Sequence, residues 1–269
     1  MQEKFIQTTR GKVYYWINKE KTNSDNCIIF LHGLTADHSL FDMQIEAFKD
    51  TNQMLLVDIP LHGKSVPYQN FSFDNVVSDI EAILEKENIS KVILVGQSAG
   101  GYIAQAFIDK YPNKVLGFVG IGTTPLNKEY YKKSELFWVK HFTTIARMIP
   151  YKYYCKLGSK SISYTKESQE SFYNALLRLG KKGMLQASKA VYGDFLNQNY
   201  NIKFQIPVLL IVGEHDNTGY VKRYNKEWAA KTGYPLVILQ KASHNANYDN
   251  FIEFNKLLRE YIKELNINI

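Results

Sequence analysis

Gly96-Gln97-Ser98-Ala99-Gly100 lies between an apolar run, Lys91-Val92-Ile93-Leu94-Val95, and a helical stretch over residues 102–110. The five residues read G-x-S-x-G, and the strand, turn and helix around them give the pattern its meaning. A serine hydroxyl is a weak nucleophile at its ordinary pKa and must be lifted clear of its neighbours to meet a base. A sharp turn from strand into helix does this. The turn crowds the backbone, so small residues must flank the serine, and Gly96, Ala99, Gly100 and Gly101 supply them. The helix start behind Ser98 also leaves backbone N–H groups free to stabilise an oxyanion.

Outward from this turn the chain alternates between strand and helix. Residues 4–8 and 12–17 flank Thr9-Arg10-Gly11 as a hairpin. Cys27-Ile28-Ile29-Phe30-Leu31 is a continuous apolar run, fit for a strand buried on both faces. A helix over 41–49 and a strand over 54–57 follow. Val76, Val77, Ile80, Ile83 and Leu84 then recur at helical spacing over 73–88, and 115–121 reads as a strand.

From about residue 126 to 204 the alternation stops. Phe137, Trp138, Phe142, Ile145, Met148 and Ile149 recur at helical intervals, and Phe172, Leu176, Leu177 and Met184 mark a later helix. The sheet pattern resumes over 207–212 and 235–239. A last helix places Phe251, Phe254, Leu257, Leu258, Tyr261 and Leu265 on one face. The alternation predicts an α/β fold with a mostly parallel central sheet and helices on both faces. Residues 1–125 and 205–269 form its core. Residues 126–204 form a helical insertion above the sheet's C-terminal edge, where ligands bind in such folds. Within the insertion, Trp138, Phe142 and Met148 are expected to bury apolar surface and to line the pocket.

The chain has 269 residues and a formal charge of +7, carried mostly by scattered lysines. The lysines form no basic stripe with interleaved aromatics, which argues against nucleic-acid binding. Cys27 and Cys155 are distant and unpatterned, so neither a disulfide framework nor a metal site is expected. No run approaches 18 apolar residues, and the polar start Met1-Gln2-Glu3-Lys4-Phe5 has no apolar signal region. A cytoplasmic protein without stable membrane insertion is the expectation.

Ser98 needs a base, and the base needs an orienting acid. His244 stands just past the last expected strand, in Ala242-Ser243-His244-Asn245, at the sheet edge that carries the Ser98 turn. Glu214 and Asp216, in Gly213-Glu214-His215-Asp216, follow the preceding strand, and either could reach the histidine. His32-Gly33-Leu34 ends another strand at the same edge. The Leu34 N–H can point toward Ser98 and, with the Ala99 N–H, form a two-donor oxyanion hole. His32, at the root of its loop, reads as a packing and hydrogen-bonding residue.

With these residues in hand, the chain resembles the α/β-hydrolase superfamily along nearly all its length. The resemblance rests on His32-Gly33, Asp58-Ile59-Pro60-Leu61-His62-Gly63-Lys64-Ser65, the Ser98 turn, Gly213-Glu214-His215-Asp216 and Ser243-His244-Asn245. The order serine, acid, histidine is the superfamily's own. The resemblance implies Ser98 as nucleophile, His244 as base and then acid, Asp216 as orienting acid, and Leu34 and Ala99 as oxyanion donors. It implies a helical cap after Thr124 and no metal or organic cofactor. Because the insertion is rich in Phe, Trp and Tyr, an apolar pocket roof and a small or medium, mainly apolar carboxylic ester as substrate are the expectation.

Two positions depart from the superfamily's common pattern. Gln97 stands where many members carry histidine, and Leu61 where many carry glycine. Branches that use an aspartate nucleophile are disfavoured by Ser98. The same triad serves thioesterases, lactonases and C–C bond hydrolases, and the fold also serves as a small-molecule receptor.

Overall fold

The computed structural model describes residues 1–18, 26–198 and 200–267; position 199, within the expected insertion, lies outside them. The described strands are β1 (Gln2–Gln7), β2 (Lys12–Ile17), β3 (Asn26–Leu31), β4 (Gln53–Val57), β5 (Lys91–Gln97), β6 (Val115–Ile121), β7 (Val208–Gly213) and β8 (Leu236–Leu239). They form one sheet in the order β1-β2-β4-β3-β5-β6-β7-β8. β1 and β2 make the expected antiparallel hairpin, and β2 also runs antiparallel to β4. From β4 through β8 every pairing is parallel.

The described helices are α1 (Asp42–Phe48), α2 (Phe73–Lys86), α3 (Ala99–Lys110), α4 (Lys133–Met148), α5 (Tyr151–Ile162), α6 (Lys166–Asn197), α7 (Val221–Thr232), α8 (Ala246–Asp249) and α9 (Phe251–Ile267). Strand side chains alternate between two faces, so one apolar run feeds two cores. Ile29, Leu31, Val92 and Leu94 pack with Val76, Ile80, Ile103 and Phe107 of α2 and α3. Ile28, Phe30, Ile93 and Val95 pack with Phe48 of α1 and Phe254 and Leu258 of α9. This two-sided burial is why β3 and β5 read as unbroken apolar runs. Phe251 departs from the face expected of the last helix and is partly exposed at its first position.

Between β6 and β7 the chain is helical, as α4, α5 and α6. α6 is interrupted at Gly180, whose φ of +71° and ψ of +164° are closed to most side chains. α5 packs on α6, and so does α4.

The loop after β4 folds around the buried Asp58 carboxylate. It accepts hydrogen bonds from the Lys64 N–H (2.7 Å), the His38 N–H (2.9 Å) and His38 Nδ1 (2.9 Å). A Cβ on Gly63 would lie 2.0 Å from Asp58 Oδ2, which explains glycine there. Leu61, which stands where glycine is common, has a φ of +72°. Left-handed backbone costs a non-glycine residue about 1–2 kcal/mol. The Leu61 side chain is only 4% exposed in the α2/α3-side core, and burying a leucine contributes about 1.5–3 kcal/mol. Packing is therefore of the size needed to offset the strain.

Candidate active site

Ser98 occupies the single step between β5 and α3, with φ +49° and ψ −117°. Such backbone costs about 1–3 kcal/mol and persists only where neighbours enforce it. Here the Ser98 N–H donates to the Ile121 carbonyl and the Gly101 N–H to the Ser98 carbonyl, each at 2.9 Å. Gly100 lets α3 start against β3, because a Cβ there would stand 2.0 Å from the Leu31 carbonyl oxygen. The Ser98 side chain faces the cavities above the sheet edge.

His244 and Asp216 come from the loops after β8 and β7 and meet beside Ser98. Nδ1 of His244 lies 2.8 Å from Asp216 Oδ2, and both side chains are buried. The second carboxylate oxygen accepts the Thr218 N–H at 2.9 Å. Burial pushes the Asp216 pKa up, but the His244 charge, its hydrogen bond and the Thr218 N–H outweigh it. The carboxyl is held below its ordinary value and is ionised at neutral pH. An ionised Asp216 fixes the proton on Nδ1 and leaves Nε2 as the basic nitrogen. Glu214 does not join this pair. Its carboxylate accepts the Lys241 N–H at 3.2 Å and lies 3.4 Å from His215 Nε2, bracing the outer loop.

Leu34 and Ala99 line the same cavity as Ser98 and His244. Among the described residues neither backbone N–H has a hydrogen-bond acceptor. Gly33 sets how closely the loop passes, since a Cβ there would lie 2.0 Å from Gln97 Oε1 and 3.1 Å from Ser98 Cβ. The loop is pinned from above by Arg178 of α6. Its Nε and Nη2 reach Asp37 Oδ2 at 3.0 and 2.6 Å.

His32 is fully committed elsewhere. It accepts the Ile59 N–H at Nε2 (3.0 Å), so Nδ1 carries the proton and donates to the Gly33 carbonyl (2.8 Å). Burial holds its pKa below the ordinary value, and burial pushes His62 down to about 3. Both rings are neutral packing groups.

Three residues that sequence reasoning did not assign a role shape the site. Gln97, the departure noted above, donates from Nε2 to the His244 carbonyl at 3.1 Å, tying the end of β5 to the histidine loop. Asp249 accepts from the N–H groups of Ser243 (2.9 Å), Tyr164 (2.9 Å) and Thr165 (3.0 Å), joining that loop to the start of α6. Gly122, just past β6, has a φ of +52°, and a Cβ there would lie 3.0 Å from His244 Nδ1 and 3.3 Å from Asp216 Oδ2. A glycine one residue beyond an apolar strand was the only signal available for it.

Gly122→Ala should push the imidazole by a few tenths of an ångström and strain its own backbone. Turnover of an activated ester should fall about tenfold or more, because misplacing a reacting group by 1 Å can cost about 10². Melting should shift down with it. Unchanged turnover in a folded variant would contradict the positioning role.

Two cavities of about 340 Å³ each share Ser98 and His244. One runs under α4, walled by Tyr102, Tyr131, Trp138, Phe142, Phe195 and Tyr224. The other runs toward α5, past Gln97, Tyr154, Phe172, Asn217 and Asn245. Phe142 and Trp138 thus reach the cavity, four residues apart on one helical face. Trp138 only edges it: the residue is 62% exposed, which corrects the expectation that it buries its apolar surface. Met148 does not reach the cavity, which corrects the expectation for it. It is 75% exposed at the end of α4, and at 100° per residue it falls about 240° from Phe142, on the outer side. Among the described residues no group of three His, Cys, Asp or Glu is placed to hold a metal ion.

A family profile described as alpha/beta hydrolase fold matches residues 26–251. A putative esterase/lipase of Haemophilus influenzae is 27% identical over 124 residues, 46% of this chain and 43% of that protein. The chain therefore spans under half the length of that relative. Human epoxide hydrolase 4 is 22% identical over 263 residues, 88% of this chain and 72% of that protein. Among solved structures, an esterase from Exiguobacterium antarcticum superposes with a TM-score of 0.79 at 18% identity, covering 97% of this chain and all of that one. That likeness is one of fold. With a profile match across most of the chain, and serine, acid and histidine converging at one sheet edge, the chain belongs to the α/β hydrolase family.

Proposed function

We propose that the protein is a serine hydrolase that cleaves a small or medium, mainly apolar carboxylic ester through an acyl-enzyme. The observation that carries this reading is the buried Asp216–His244 pair beside the strained Ser98, at the floor of a largely aromatic cavity. Ser98 Oγ attacks the ester carbonyl carbon while His244 Nε2 takes its proton. The carbonyl oxygen becomes an alkoxide and is held by the Leu34 and Ala99 N–H groups, which are free before the substrate arrives. The C–O bond to the alcohol breaks as His244 returns the proton to the leaving oxygen. Water, deprotonated by His244, then attacks the acyl-enzyme and frees the acid and Ser98.

In this reading residues 126–204 act as the cap. Tyr102, Trp138, Phe142 and Phe195 form an apolar wall around the reacting ester, and such walls set ligand preference through shape and burial. The test is a series of nitrophenyl esters from acetate to hexadecanoate, with Ser98→Ala as blank. Turnover well above the blank on short and medium chains, declining for the longest, is expected. No turnover above the blank across the series, and none on a matching thioester and lactone set, would reject the reading. Preferred turnover of the thioester or lactone set would keep the triad and replace the substrate class.

A further inference from the structure

α4 carries an outer surface of which the cavity holding Ser98 uses only Trp138. At 100° per residue, Phe137, Trp138, His141, Ile145 and Met148 fall within one arc of about 100°. Phe137 is 55% exposed, Trp138 62% and Met148 75%. Lys133, Lys140 and Arg147 fall in the arc beside them. Among the described residues none of these three cations pairs with a carboxylate. The inward arc holds Val139, Phe142 and Ala146. A helix with one apolar stripe turned to solvent and a basic stripe along its flank has the pattern of an interfacial helix.

The charge distribution points the same way. Residues 126–204 hold 14 of the 33 Lys and Arg but 5 of the 26 Asp and Glu. They carry +9, and the rest of the chain carries −2. The whole positive balance therefore sits on the helical insertion. α5 repeats the arrangement, with Lys152, Lys156 and Lys160 exposed one turn apart beside Tyr153 and Leu157.

We propose that the outer face of α4 binds peripherally to an anionic lipid surface. Phe137, Trp138, Ile145 and Met148 enter the boundary between headgroups and acyl chains, and Lys133, Lys140 and Arg147 reach the phosphates. Both attractions act together, since buried apolar area and charge add in this mode of binding. The face offers apolar tips and long flexible cations with few hydrogen-bonding groups of fixed direction. That suits a fluid anionic surface better than an acidic protein. No described helix is long and apolar enough to cross a membrane, so the contact is superficial. Trp138 belongs both to this face and to the cavity wall, so the docking face adjoins the cavity holding Ser98. It follows that an ester dissolved in the lipid would enter beside Trp138. That consequence rests on the ester-hydrolase reading, whereas the binding does not.

The experiment is co-sedimentation of the native protein with vesicles of diether phosphatidylglycerol and diether phosphatidylcholine, which offer no carboxylic ester to cleave. Binding should rise with the anionic fraction and fall with salt. K133Q/K140Q should weaken it about 25-fold, at roughly fivefold per charge near the surface. F137S/I145S/M148S should weaken it at least as much. I252S, which removes an equally exposed apolar side chain from α9, should leave it unchanged. Circular dichroism of each variant establishes that it is folded, and fluorophosphonate labelling reports separately on Ser98. Loss of labelling with binding intact would sink the hydrolase reading alone. The docking proposal is overturned by absent binding, by equal binding to pure phosphatidylcholine, or by binding indifferent to both sets of substitutions. A native dimer that F137S/I145S/M148S dissociates, with no vesicle binding, would reassign the face to a second copy. Capture of an acidic protein without vesicle binding would likewise overturn it.

Discussion

Ser98→Ala is expected to reduce ester turnover by about 10⁶, the scale seen when the nucleophile of a serine protease is removed. The substitution deletes one oxygen at a residue that lines the cavity and leaves the turn small, so the fold should persist. Melting temperature and circular dichroism should match the native protein while turnover falls to the uncatalysed rate plus a remnant. In the proposed mechanism that remnant arises from binding and from the Leu34 and Ala99 donors, which stay in place. A variant that kept a tenth of native turnover would show that another group attacks the ester.

Asp216→Asn should cost about 10⁴ in turnover. The carboxylate accepts the proton on His244 Nδ1 at 2.8 Å and so keeps Nε2 basic. An amide in its place can turn an N–H toward Nδ1 and favour the wrong tautomer. In the proposed reaction it also removes the negative charge that would stabilise the imidazolium formed when Ser98 loses its proton. Glu214→Gln is the matched comparison, since Glu214 braces Lys241 at the surface and does not reach His244. It should leave turnover within about threefold. Similar losses in the two variants would reject the assignment of the orienting acid.

Much of this arrangement is legible in the chain because strong local constraints coincide there. The Ser98 turn combines an apolar strand, four small residues and a helix; a Cβ on Gly96 would meet the Gly101 backbone, one on Gly100 the Leu31 carbonyl and one on Gly101 the Thr123 side chain, so crowding explains these three glycines. Asp216 and His244 follow apolar strands whose order in the sheet puts their loops at one edge. What the chain concealed depends on contacts between segments distant in sequence. Gly122 is required by a ring more than a hundred residues away. Gln97 looked like a lost histidine and instead ties β5 to the loop of His244. α5 lies within the stretch expected to be helical but shows no apolar spacing of its own, and α7 matches no expected element, because tyrosines and lysines are frequent in α5 and charged residues in α7, which blurs their apolar spacing. Met148 shows the limit of periodicity: spacing places it on a helix, but only the phase against Phe142 tells inside from outside.

The central claim is that Ser98 is the single activated nucleophile. The most direct measurement is peptide mapping by mass spectrometry after brief exposure of the native protein to a fluorophosphonate. One adduct per chain on Ser98, lost in Ser98→Ala and strongly slowed in Asp216→Asn, is the expected result. An adduct on another residue, or labelling that survives Ser98→Ala, would contradict the account.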